Sequence, residues 1–234
     1  MVAIFKIVSQ KYQLIRFDQR GNGLSDWEVE NISEDSMIAD MQAVVDSTKI
    51  SDFSIFGMSQ GCAFAIRYAI EHPDQVRCLI LFGGYILGRL KRNSDEGKNR
   101  HDIGMKMIES GWGSNTPIYR NFFTSAFLPD ASKQESGSFD ELQRVCTDTT
   151  NAMRIQEMNS NVDVTEYARR INIPTLVLHC KGDQVNPLKE GRRMASVIPN
   201  AYFKTLTSNN HVLLEGTHEF SKLFHEVDKF MKEI

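Results

Sequence analysis

The chain has 234 residues, 41% hydrophobic and 24% charged, with a formal net charge of −3, which fits one globular domain or one domain with an insertion. That balance leaves no basic footprint for a nucleic-acid partner, no apolar run is long enough to span a bilayer, and no basic start with a small-residue cleavage site marks a secretory leader. Cys62, Cys78, Cys146 and Cys180 lack metal-ligand spacing and three lie in apolar patterns, so core thiols in a reducing cytoplasm are expected, with no metal and no cofactor.

From the start, Met1 to Val8 is apolar and reads equally as the end of a helix or as a strand. Tyr12 to Phe17 is expected to be a strand. It runs into a polar, glycine-punctuated loop, Asp18-Gln19-Arg20-Gly21-Asn22-Gly23-Leu24-Ser25-Asp26, in which Arg20 stands between two carboxylates as a loop brace. Ser33 to Thr48 predicts a helix, with Ser33 as N-cap and Met37, Ile38, Met41, Val44 and Val45 as its apolar stripe. Asp52 to Phe56 is a short strand, Cys62 to Glu71 a helix stopped by Pro73, and Cys78 to Phe82 an apolar run suited to a parallel strand covered on both faces.

Residues 85 to about 165 change character: they are richer in Asn, Ser and Met, with helical patches at 103–108, 118–127 and 139–158 and no strand signal. They read as a helical insertion into a strand framework. The framework resumes with a strand opened by Pro174 and ending at Cys180, then a helix at 188–197, a strand at 201–206 and a final helix from Thr217 to Glu233. Strands alternating with helices imply an α/β fold with a mostly parallel sheet and helices on both faces. The expected domain parts are a core segment at 1–84, the insertion at 85–165, and a second core segment at 166–234.

The chemistry centres on Gly57-Met58-Ser59-Gln60-Gly61, a G-x-S-x-G pattern set between a strand and a helix. The two glycines let strand and helix approach, the tight turn pushes the hydroxyl clear of the backbone, and the helix start presents its N–H groups to developing negative charge. In an open parallel sheet, function collects beyond the carboxyl ends of the strands. Ser59, Asp183 and His211 each fall at such an end. A serine hydroxyl is a poor nucleophile until a base takes its proton, an imidazole can do so near neutral pH, and a carboxylate behind it fixes the tautomer. Met58 and Val185, beside the nucleophile and the acid, together with Trp112, Phe122 and Phe123 of the insertion, are the candidate substrate contacts; packing within the insertion is the competing account of the aromatic ones.

These residues resemble the α/β-hydrolase superfamily over nearly the whole chain. Asp18 to Ser25 is similar to its D-x-R-G-x-G-x-S loop, Gly57 to Gly61 to its nucleophile elbow, Gly182-Asp183 with Val185 and Pro187 to its acid loop, and His211 to its histidine. The insertion from Tyr85 falls where the family carries a helical cap. Phe17 to Gly21 and Ser59 to Ala63 are more narrowly similar to the modules found beside bacterial adenylate-cyclase or transcription-regulator domains. The resemblance implies an ester, thioester or lactone hydrolase acting on a small molecule, with Ser59, Asp183 and His211 as triad and the Gln60 N–H in the oxyanion hole; a non-catalytic ligand-binding or signalling module on the same fold is the alternative. It also implies three strands ahead of the D-x-R-G loop, the third in mid-sheet and supplying a second oxyanion N–H. Only seventeen residues precede Asp18. By this likeness Ile4 to Gln10 matches the helix after that third strand, so the N-terminal strands are expected to be absent. Three sources of a replacement present themselves: Val2 to Val8, a second copy of the chain in a homo-oligomer, or the remainder of a longer product.

Overall fold

The computed structural model describes residues 2–234, and side chains from residue 5 onward. Four parallel strands, β1 (Phe53–Met58), β2 (Val76–Phe82), β3 (Thr175–Cys180) and β4 (Tyr202–Leu206), form one sheet in the order β1-β2-β3-β4. Alternation along β2 divides its side chains between two cores. Leu79 and Leu81 face one side, where α2 (Glu34–Thr48), α3 (Gly61–Glu71), α8 (Thr165–Arg169) and α9 (Leu188–Val197) pack; Cys78, Ile80 and Phe82 face the other, covered by α10 (His218–Glu233). Helix α10 is held there by Phe220, Leu223, Phe224, Val227 and Phe230 at helical spacing, all buried. Burial of each contributes about 1.5–3 kcal/mol, which outweighs any intrinsic preference of so charged a helix.

The expected helices of the framework are present. Ser33 caps α2 in a reciprocal box with Ser36, Thr217 caps α10, and α9 spans Leu188–Val197. Of the two readings of the apolar start, the helix holds: Val2–Ser9 is a helix (α1) and no replacement strand, and its Phe5, Ile7 and Val8 pack on the α10 side of the sheet. Three readings need correction. Tyr12 to Phe17 is in no strand: a strand needs a neighbour for its backbone groups, among the described residues no strand pairs beyond β1, and Tyr12, Ile15 and Phe17 are left exposed. Arg20 does brace its loop, but by a bidentate bond at 2.7 Å to Asp40 on α2 and not through Asp18 or Asp26. The insertion holds α4 (Asp95–Gly111), α5 (Ile118–Phe127), α6 (Lys133–Cys146) and α7 (Thr149–Asn161), so the single helix expected over 139–158 is two. They break where the Thr147 hydroxyl donates to the Gly21 carbonyl and Asp148 starts α7 by accepting from the Asn151 N–H.

Candidate active site

Ser59 follows β1 directly and adopts φ +54°, a left-handed backbone that costs a non-glycine residue about 1–3 kcal/mol. Its N–H donates to the Phe82 carbonyl at the end of β2, so the sheet itself fixes the turn. The neighbouring glycines are not equivalent. A Cβ on Gly57 would lie 2.7 Å from the Gly61 carbonyl oxygen, whereas a Cβ on Gly61 would meet nothing within 4 Å. Close approach of strand and helix therefore requires Gly57 alone, correcting the expectation that both are needed. Cys62, on the first turn of α3, is fully buried behind the elbow, and burial holds its thiol far above the ordinary range.

Asp183 sits past the end of β3. One carboxylate oxygen accepts from the N–H groups of Val185 and Asn186, both at 2.9 Å; the other accepts from His211 Nδ1 at 2.6 Å. An ionised carboxylate can only accept, and with that form of Asp183 the bond puts a proton on His211 Nδ1 and leaves Nε2 as the ring's free nitrogen. His211 is 1% exposed and its Nε2 is buried without a hydrogen-bond partner. The Ser59 hydroxyl does not hydrogen-bond to it. Two adjacent glycines at the exit of β2 seat both groups: a Cβ on Gly83 would lie 3.2 Å from His211 Cε1 and 3.6 Å from Asp183 Oδ2, and one on Gly84 would lie 2.9 Å from the Ser59 carbonyl oxygen.

The Gln60 N–H, next in line after Ser59, makes no hydrogen bond among the described residues. Its side chain is held at both ends, donating to Gln19 at 3.1 Å and accepting from Asn159 of α7. Neither partner carried a sequence signal, because both are polar residues far away in the chain. The same holds for Asn186, whose side chain donates to the Gly83 carbonyl at 2.9 Å and whose own carbonyl accepts from His179 Nε2 at 2.7 Å. Burial pushes His179 below its ordinary value, with the Asn186 bond and the Asp183 charge opposing.

The residues expected to contact substrate are dispersed. Met58 packs on the α10 side of the sheet. Val185 is half-buried in the acid loop. Trp112 and Phe123 join Ile108, Ala152 and Met153 as the insertion's own core, with the Trp112 indole donating to the Thr147 carbonyl, and Phe122 is exposed beside Phe123. The aromatic ring that does reach the site is that of Phe127, edge-on to the His211 imidazole with centroids 5.2 Å apart. A groove of about 860 Å³ lies elsewhere, lined by Glu34, Arg67, Met105, Glu157, Met158 and Tyr167 among others; it contains none of Ser59, Asp183 and His211, so its size does not make it the reaction site. Among the described residues no group of His, Cys, Asp or Glu could hold a metal ion, and no helix is long and apolar enough to cross a membrane.

The family model described as the α/β hydrolase fold matches residues 4–217. The chain is 24% identical over 217 residues to the pyrrolizixenacetamide deacetylase of Xenorhabdus hominickii, covering 91% of this chain and 79% of that one. It is 26% identical to a non-heme chloroperoxidase of Kitasatospora aureofaciens, covering 97% and 85%. Among solved structures it superposes on an α/β hydrolase enzyme from a Medee basin deep-sea metagenome library with a TM-score of 0.81 at 18% identity, covering 99% and 83%. It superposes on an esterase of Exiguobacterium antarcticum at 0.77 and 19%, covering 91% and 79%.

Proposed function

Because this chain belongs to the α/β-hydrolase family, we propose that it is a serine hydrolase that cleaves an ester, thioester or lactone of a small molecule through an acyl-enzyme. The observation that carries this reading is the His211 ring: its Nδ1 meets the Asp183 carboxyl at 2.6 Å, and its Nε2 is buried and unpartnered beside the strand end that carries Ser59. In the reaction Nε2 takes the Ser59 proton as Oγ adds to the carbonyl carbon, and Asp183 stabilises the imidazolium. The Gln60 N–H and the positive end of α3 face the developing oxyanion. The imidazolium then returns the proton to the leaving group, and a water activated by the same nitrogen releases the acyl group. The relative named as a deacetylase supports acyl transfer as the reaction class. The cysteines, all unpaired, support a reducing cytoplasm as the compartment.

A serine-directed fluorophosphonate probe and p-nitrophenyl acetate test this. The wild type is expected to be labelled and to turn over the ester, while Ser59→Ala is unlabelled and at least about 10³-fold slower. A non-catalytic binding module is favoured by the missing bond between Ser59 and His211; it predicts stabilisation by ligand with no Ser59-dependent turnover.

A further inference from the structure

Helix α5 ends at Phe127, and the last carbonyls of any helix need donors from outside it. Here the donors come from the histidine loop. The N–H groups of His211 and Val212 both donate to the Phe127 carbonyl, at 2.9 and 3.3 Å. Three residues on, in the turn between α5 and α6, the Asp130 N–H donates to the Asn210 side-chain oxygen at 2.9 Å, and the Asp130 carboxylate accepts from the Asn209 amide at 3.0 and 3.1 Å. Asn210 is 4% exposed, so its acceptor is satisfied only by that turn. Asn209 in turn packs on the acid loop, its Cα 3.0 Å from where a Cβ on Gly182 would sit.

We infer that the α5–α6 corner of the insertion, Phe127 to Asp130, positions the general base: three successive residues of the histidine loop, Asn209, Asn210 and His211, hang from it by hydrogen bonds, and the Phe127 ring abuts the imidazole. Asp130 and Asn210 are positioning residues, acting on the reaction only through His211. The inference rests on the serine-hydrolase reading and makes alignment of the base depend on how the insertion is seated. A substrate that holds this corner in place is turned over; one that lifts it binds without reacting.

The test uses the full chain with p-nitrophenyl acetate, together with proton NMR of the His211 Nδ1–H, which the short bond to Asp183 draws far downfield. Asp130 is exposed and its replacement spares the core. Asp130→Ala and Asn210→Ala are expected to lower kcat roughly ten- to hundredfold with KM changed less than about twofold and to broaden the Nδ1–H signal. Asp130→Asn, which keeps one oxygen for Asn209, is expected to restore most of kcat. Folded variants with kcat unchanged, or with KM alone raised, overturn the inference. Should the wild type prove inert toward esters, the hydrolase reading fails, and the signal decides separately: an unchanged Nδ1–H resonance in Asp130→Ala and Asn210→Ala overturns the corner's role.

Discussion

The residue with the most unusual surroundings besides Ser59, Asp183 and His211 is His179. It is fully buried on β3, donates Nε2–H to the Asn186 carbonyl, and lies 3.6 Å from the Asp183 carboxylate. Because burial lowers its pKa below the ordinary His value near 6.5, the unfolded chain takes up a proton here before the folded one does. Stability is then unaffected above about pH 6.5 and falls as pH drops below it, until the depressed native value is reached. Urea unfolding at pH 7 and pH 5 checks this: wild-type stability is expected to fall more steeply across that interval than that of His179→Gln, whatever the absolute cost of the substitution. An equal slope in both removes the account. Ser59 is a second residue whose state is imposed from outside, its positive φ held by the bond to Phe82 and by the constraint at Gly57.

At the scale of elements, β1 is the informative strand. Phe53 and Ser59 donate their N–H groups toward the β2 side, and alternation then turns the backbone groups of Ile55 and Gly57 the same way and those of Ser54, Phe56 and Met58 toward the side where no strand of the described residues pairs. Hydrogen exchange of the native protein is expected to protect the amides of Ile55 and Gly57 strongly and those of Ser54, Phe56 and Met58 weakly. Uniform protection along β1 would mean that something pairs with this edge. The same edge explains why Tyr12 to Phe17 is no strand: the composition of that segment suits one, but a ladder needs a partner, which composition does not report. The break between α6 and α7 is the converse case. Apolar spacing continues across it, and the bond of the Thr147 hydroxyl to Gly21, 126 residues away in sequence, decides the matter.

For the whole molecule, the two cores bury three of the four thiols. Cys62 and Cys78 are fully covered with burial raising both, Cys180 is pushed up to about 12, and Cys146 is half-buried. Titration with an aromatic disulfide reagent at pH 8 is expected to modify one cysteine, Cys146, in the native protein and all four in denaturant. Rapid reaction of two or more in the folded state would show that the sheet faces open readily.

Much of this was legible in the chain itself. The continuous apolar run of β2, the Ser33 cap and the strand–turn–helix context of Ser59 are local patterns, written by spacing and by the conformations a few residues can take, and the order Ser, Asp, His can be read straight along the chain. Contacts between distant segments were not legible. The Asn159 and Gln19 hold on Gln60, the Asp40 partner of Arg20, the burial of Trp112 and Phe123 inside the insertion, and the Phe127 carbonyl beneath His211 depend on which surfaces meet after folding. Short-range sterics and periodicity act along the chain and leave their mark in it. Hydrogen-bond partnership and burial between remote residues are settled by the packed arrangement, where each polar group must find whichever partner the fold brings near.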